Sequence, residues 1–339
     1  MYTLADNETN KARQSYVIVN GVGSDLSKTK ALQGRAKRKT ITQSMMLKLI
    51  DLAKENETPE LENAFWNTYH CQQKVFTADG RLYGKYCKNR FCTLCCSVRK
   101  AEIINRYYPI IKHWEEPHFV TITIKAVNEE KLKSRIDAMI RGFKLISAKH
   151  RKRDQRGTGK KLIGVKSLEC NFNPNKKTYN PHLHIITANK VMAEVIVKDW
   201  LKLCTPKFAS SKGQKIDKVN GLENSLIEII KYGTKIFTEP DLKKRAKEST
   251  TAQIYIKALN NILVAMKGKR IFERFGFDIP KGETKYQTTA KLLSAFDEWE
   301  YNSKSCDWEN IKTGELLSGF KLPSHLQALL ENNINLDMR

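Results

Sequence analysis

Apolar residues along this chain recur with two periods. Period two, the mark of a half-buried strand, appears in His118-Phe-Val-Thr-Ile-Thr-Ile-Lys125, where Val120, Ile122 and Ile124 alternate with Thr121 and Thr123. It appears again over Leu162–Phe172, with Leu168, Cys170 and Phe172 on one face and Glu169 on the other, and in Asn180-Pro-His-Leu-His-Ile-Ile-Thr-Ala188. The turn signal Asn173-Pro-Asn175 separates these last two stretches, so they are expected to pair antiparallel. A short strand is expected over Lys215–Val219. Helical spacing runs through residues 41–66, broken at Thr58-Pro59, then Val98–Ile111, with Pro109 at its far end. It continues in Glu129–Lys149, Val191–Cys204, Leu222–Phe237 and Thr251–Met266. The pattern predicts an α+β fold. A central antiparallel sheet carries the 180–188 strand in its middle, helices cover one side, and the other side is open.

Three stretches are set apart by their charge rather than by an apolar period. Residues 1–40 contain a run with no acid from Ser27 to Thr40, including Lys37, Arg38 and Lys39, which is expected to be a basic arm. His150–Lys161 is expected to be a flexible basic loop, with Arg151, Lys152, Arg153, Lys160 and Lys161 around Gly157 and Gly159. From Ala295 to Arg339 eight acids face four basic residues, a shift that suggests a separate acidic tail of helical character. The expected organisation is therefore a basic arm with helices over 1–66, a cysteine-rich segment over 67–114, a sheet domain over 115–240, and a C-terminal helical region with an acidic tail over 241–339.

Charge narrows the class of partner. The 339 residues carry 60 Lys and Arg against 36 Asp and Glu, a net charge of +24. Such an excess attracts polyanions, of which nucleic acid is the usual one. No apolar run approaches the ~20 residues of a membrane span. Met1-Tyr-Thr-Leu-Ala-Asp6 has no signal-peptide pattern, so a cytoplasmic protein without membrane contact is expected.

Two side-chain groups suggest metals. In a strand, His182 and His184 point the same way, and Glu169 on the neighbouring strand can sit beside them. Two nitrogens and a carboxylate make a divalent-ion site with positions left open. Separately, Cys71-x15-Cys87-x4-Cys92-x2-Cys95 offers four thiolates, with Asp79-Gly80 placed to turn a hairpin that returns Cys71 to the rest. Cys96 or His70 could replace one ligand. An iron–sulfur cluster with this spacing would want a further cysteine downstream, and the next after Cys96 is Cys170, so structural Zn2+ is favoured. On the helix after Leu222, Glu228 and Tyr232 stand four apart on one face, flanked by Lys231 and Lys235.

Phe119-Val-Thr-Ile-Thr123, Pro181-His-Leu-His184 and Glu228-x-x-x-Tyr232-x-x-Lys235, in that order, resemble the three motifs of the HUH endonucleases. They are most similar to plasmid rolling-circle replication initiators of the branch with one catalytic Tyr preceded by Glu. Cys87-Lys-Asn-Arg-Phe-Cys92-x-x-Cys95 resembles that branch's cysteine segment, with Thr93 where Pro is expected, and Lys267-Gly-Lys-Arg270 before Phe275-Gly276 is a weaker likeness. The resemblance covers roughly 70–280. It implies nicking of single-stranded or hairpin DNA at a replication origin. His182, His184 and Glu169 would hold Mg2+ or Mn2+, Tyr232 would be the nucleophile, Glu228 would act in termination, and Lys235 would assist. Lys37, Arg38, Lys39, Arg151, Lys152, Arg153, Lys160, Lys161 and Lys231 are the candidate phosphate contacts. Host helicase and polymerase are further partner candidates. A transposase or relaxase with the same chemistry, a phosphohydrolase without a covalent step, and a zinc-stapled DNA binder without activity are the alternatives.

Overall fold

The two strands expected to pair, one with Glu169 and one with the histidines, form a single ten-residue antiparallel ladder in the computed structural model of the protein. The structure describes residues 17–20, 23–90, 92–226, 254–279, 290–332 and 334–335. In chain order the elements are β1 (Val17–Asn20), β2 (Ser24–Asp25), α1 (Thr29–Glu55), α2 (Pro59–Tyr69), β3 (Lys74–Ala78), β4 (Arg81–Gly84), α3 (Thr93–Ile111), β5 (His118–Thr123), α4 (Glu129–Gln155), β6 (Gly164–Asn173), β7 (Thr178–Thr187), α5 (Lys190–Leu203), α6 (Thr205–Phe208), β8 (Lys215–Lys218), β9 (Ile254–Tyr255), α7 (Ile256–Met266), β10 (Phe272–Phe275), β11 (Ala290–Leu293), β12 (Asp297–Asn302), β13 (Asp307–Asn310), α8 (Ser324–Asn332) and β14 (Ile334–Asn335). Residues 222–226 are helical as well. No helix among the described residues is long and apolar enough to cross a membrane.

The chain divides into two units. One comprises residues 1–37, 72–85 and 283–321, and the other 38–71, 86–282 and 322–339. Both are discontinuous in sequence, whereas the expected segments follow one another along the chain.

The larger unit is built on a five-stranded sheet in the order β10-β6-β7-β5-β8, with every pairing antiparallel. The histidine strand β7 is therefore central. Alternation sends Val120, Ile122, Leu168, Leu183 and Ile185 to one face, where Leu132, Ile136, Met139 and Phe143 of α4 and Ile196 and Trp200 of α5 bury them. Burying each such side chain contributes about 1.5–3 kcal/mol. The opposite face carries Glu169, His182 and His184. It is not open along its whole length, as helices on one side alone would leave it: Tyr107 and Ile111 of α3, together with Leu226, pack on Val165 and Ile186. A second core joins α1, α2, α7 and α8 through Met45, Leu49, Phe65, Leu259 and Leu326.

In the smaller unit the expected hairpin is present. Asp79 (φ 51°) and Gly80 (φ 68°) turn β3 into β4 through two left-handed positions, which suits Asp-Gly. This hairpin belongs to a sheet in the order β13-β12-β3-β4-β2. The expected helical, acidic tail is corrected in its first part, since residues 297–302 and 307–310 are strands, while Ser324–Asn332 is helical. In Asp297-Glu-Trp-Glu-Tyr-Asn302 the acids project outward while Trp299 and Tyr301 are buried against Val75, Leu82 and Trp308.

Two further expectations are corrected. The basic arm over 28–39 is not an arm, because α1 begins at Thr29. Its inward face there is Leu32, Ala36, Lys39 and Gln43, a helical spacing whose apolar character is too weak to register as one. The basic loop is half helix: α4 continues to Gln155, and Gly157 (φ 69°) follows its end.

Gly276, just after β10, has φ 75°, and a methyl group there would meet the Leu162 carbonyl. Gly276→Ala combines left-handed strain with a backbone clash, which costs on the order of 1–3 kcal/mol. A lowered thermal unfolding midpoint is the expected outcome, and a midpoint equal to wild type would show that β10 docks otherwise.

Candidate active site

The site is a product of register. On the β6–β7 ladder Glu169 lies opposite His182 and Ser167 opposite His184, and on the β5–β7 ladder Thr121 lies opposite His184. Residues directly opposite share a face, so Glu169, both histidines and Thr121 converge. Glu169 Oε2 is 3.2 Å from His182 Nε2, and Oε1 is 3.2 Å from His184 Nε2. The three ligand atoms lie within 4.8 Å of one another. Glu169 is 4% exposed and His182 5%.

Both rings are held from behind. His182 Nδ1 donates to the Asn180 carbonyl at 2.9 Å, which leaves Nε2 as the ring's lone-pair nitrogen. His184 Nδ1 is 3.0 Å from Thr121 Oγ1. Such outer partners fix ring orientation and tautomer at metal-binding histidines. Glu169 Oε1 is buried without a hydrogen-bond partner among the described residues despite its distance from His184, and so is Ser167 Oγ. Three donor atoms directed at a common point, beside unsatisfied buried oxygens, are what a divalent ion with attached oxygen ligands would complete. Thr121 and Asn180 were not singled out from sequence. The signal available for Thr121 was its position on the polar face of a strand next to the histidines.

The cysteines assemble as their spacing suggests. Cys71, Cys87, Cys92 and Cys95 bring four Sγ atoms within 4.8 Å of one another. Cys71–Cys95 and Cys87–Cys95 are 3.7 and 3.6 Å apart. Zinc tetrahedrally bound by four sulfurs at about 2.3 Å gives sulfur–sulfur edges of about 3.8 Å, so the donor set fits zinc. Backbone N–H groups of Cys87, Asn89 and Cys95 point at the sulfurs of Cys71, Cys87 and Cys92. Cys96 stands outside: its thiol donates to the Arg90 carbonyl, and burial pushes its pKa up to about 12. Thr93, where Pro is expected, donates its backbone N–H to Thr42 Oγ1 at 3.3 Å, a bond that Pro could not make.

Among the DNA-contact candidates, Lys39 is corrected. It is 0% exposed and donates to the carbonyls of Tyr69 at 2.7 Å and Cys71 at 2.9 Å, so it cannot reach a phosphate. Burial pushes its ammonium down to about 8, with Cys71, Cys92 and Cys87 drawing it back up. A buried cation beside four thiols is suited to a centre that carries negative charge once loaded. Lys37 and Arg38 are half-buried in α1, whereas Arg151, Lys152, Arg153, Lys160 and Lys161 are exposed. Glu228, Lys231, Tyr232 and Lys235 lie outside the described residues. The segment leading to them is placed, however: Leu226, 0% exposed, packs on Val165 and Ile186, each two residues from Ser167 and His184 on the same strand face.

Comparison with known proteins gives relatives of one name. The chain is 29% identical over 182 residues to a protein named "Protein rep" from Staphylococcus aureus, covering 48% of the chain and 73% of that relative. It is 31% identical over 144 residues to a "Protein rep" from Bacillus amyloliquefaciens, covering 40% of each, and 28% identical over 144 residues to one from a Bacillus species, covering 40% of the chain and 44% of the relative. The chain thus spans less than half the length of the two Bacillus relatives. No family model matches it, and no solved structure does.

Two outcomes are expected at the cysteine site. Elemental analysis of purified protein should find one tightly held zinc per chain, and its removal at low pH with chelator should unfold the segment, since metal binding and folding are coupled there. A metal-free protein with the same melting curve would count against the site. Lys39→Met leaves two buried carbonyls unsatisfied, at about 1–3 kcal/mol each. It should melt earlier and give up zinc to a colorimetric chelator faster, with Lys39→Arg intermediate; unchanged release kinetics would remove Lys39 from the site.

Proposed function

We propose that the protein is a plasmid rolling-circle replication initiator that nicks and rejoins one DNA strand at an origin. The observation that supports this most is the convergence of Glu169, His182 and His184 on the sheet face where Leu226, at the head of the Glu228–Tyr232 segment, is also packed. The relatives named "Protein rep" favour replication over transposition or conjugation.

His182, His184 and Glu169 would hold Mg2+ or Mn2+. When bound, such an ion withdraws charge from the scissile phosphate and orients it. Thr121 and the Asn180 carbonyl keep the two imidazoles turned toward Glu169, so the donor set is preorganised. Tyr232 supplies the nucleophile. Its phenolate oxygen forms a bond to phosphorus, the P–O3′ bond breaks, and the products are a 5′-phosphotyrosine and a 3′-OH able to prime a polymerase. A phenol ordinarily ionises at about 10, so Lys235 assists by favouring the phenolate, while Lys231 contacts phosphate. Glu228 acts at the end of a round, activating water against the phosphotyrosine or positioning the closing attack. The excess of 24 positive charges supplies non-specific attraction to the DNA.

Incubation with labelled single-stranded origin DNA and Mn2+ is expected to give a denaturation-resistant protein–DNA adduct. Tyr232→Phe should fold and bind DNA but give neither nick nor adduct, and His184→Ala should lose both. Glu228→Ala should form the adduct and fail to resolve it, so the covalent species accumulates. An adduct from Tyr232→Phe at the wild-type rate would transfer the nucleophile's role elsewhere.

A further inference from the structure

On the helix-covered side of the same sheet, away from the histidines, lies a groove of about 750 Å³ between the C-terminal half of α4 and β10. Ser147 and Ala148 of α4 line it, and the buried Lys166 forms part of its floor. Lys166 is 3% exposed and paired with Glu273, its register partner on β10, at 2.7 Å. Arg274 and Asp278 are likewise paired, at 3.7 Å. The charges engaged along β10 therefore largely cancel. What is left on the rim is Lys144, Arg151 and Lys161, all exposed and, among the described residues, none in an ion pair, with Asp154 as the opposing acid.

The geometry points to a second DNA subsite, in which this groove holds the sugar–phosphate backbone of duplex DNA, independently of metal and of base sequence. The inference rests on the reading of the protein as one that acts on DNA, and it adds where the duplex is held. Lys144 and Arg151 are seven residues apart on a continuous helix, which places them on one face about 10 Å apart along its axis. One strand of a duplex rises about 3.4 Å along the axis per phosphate, and successive phosphates lie further apart than that in space, so this spacing suits two phosphates of one strand, one for each cation. Single-strand sites without sequence preference work instead by stacking bases on exposed aromatic rings. Here the rings of Phe143 and Phe275 are 1% and 9% exposed and pack edge-to-face on each other, and the third ring of the groove, Phe277, is half-buried and held edge-on to Tyr107 and Trp114. Cations spaced along one helix suit backbone contact, the sequence-independent part of duplex recognition. Lying on the opposite side of the sheet from Glu169, His182 and His184, the groove would grip a part of the DNA other than the strand being cut.

The test is metal-free binding of the full-length protein to a short blunt duplex and to a single-stranded oligonucleotide, each over a series of salt concentrations. Lys144→Gln/Arg151→Gln changes two exposed residues, and a circular-dichroism melt checks that the fold is retained. The expected result is a salt dependence for duplex less steep by about 1.8 log units, at about 0.9 for each phosphate no longer neutralised, with affinity at physiological salt falling about tenfold or more. The salt slope for single-stranded DNA should change by less than the slope for duplex. Lys144→Arg/Arg151→Lys should restore the duplex slope, and His184→Ala should not alter it. An unchanged duplex slope in the Gln variant overturns the proposal, and so does an equal loss on duplex and single strand, which would assign the groove to single strands. If wild type forms no adduct but its duplex slope depends on Lys144 and Arg151, the nicking reading fails while the groove stands.

Discussion

The register of the β6–β7 ladder is the constraint on which the rest of the larger unit depends. Side chains alternate faces with a period of two, so a slip of one residue would turn His182 and His184 into the core and bring Leu183 out. The core resists this slip because Leu168 and Leu183, directly opposite each other, are both fully buried under α4 and α5. The far end of the ladder is pinned as well. Tyr179 forms a bridge with Val127, and its hydroxyl accepts a hydrogen bond from Asn261 of α7 at 2.8 Å. One apolar pattern thus fixes both the hydrophobic packing on one face and the meeting of three ligand atoms on the other.

The two donor sets differ in charge, and the difference matches what each can do. Four thiolates around a divalent ion give a centre of net negative charge with no coordination position left, so it can hold a segment together but not attract or activate a phosphate. The buried ammonium of Lys39, anchored to the carbonyl of Cys71, is consistent with that sign. Two neutral imidazoles and one carboxylate leave a divalent ion with net positive charge and open positions, which is what an anionic phosphodiester requires. Among the described residues, helices close over that face at the Val165–Ile186 end, and the site itself lies beyond the packed cluster.

Much of this was legible in the chain. Strict alternation in residues 118–125 and 162–188 specified the strands and their faces, the Asn173-Pro-Asn175 turn set the pairing, and together they placed Glu169 beside the histidines. The thiol spacing with Asp79-Gly80 specified the four-cysteine group. What was not legible has physical causes. The first turns of α1 bury Ala36 and Lys39, residues whose presence on an inward face no apolar count detects. The strand Asp297–Asn302 does alternate, but its three acids dominate the local composition and masked the buried Trp299 and Tyr301. Its partner β3 lies more than two hundred residues earlier in the chain, beyond the reach of any local pattern. Thr121 and Asn180 act on the histidine rings through geometry that only the folded sheet provides.

Buried ionisable groups are the places where this sequence departs from a purely apolar core. Lys39, Lys166 and Glu169 are each almost wholly buried. Removing a charge from water costs several kcal/mol, and even a well-paired buried ion seldom stabilises a fold more than an apolar side chain of similar size would. The apolar clusters already supply the packing, so stability alone does not account for these three. Each sits against something an apolar residue could not serve: Lys39 beside four thiols, Glu169 between two imidazoles, and Lys166 at the floor of a groove with a cationic rim. The three buried charges mark the thiol-facing, imidazole-facing and groove-lining positions of the larger unit.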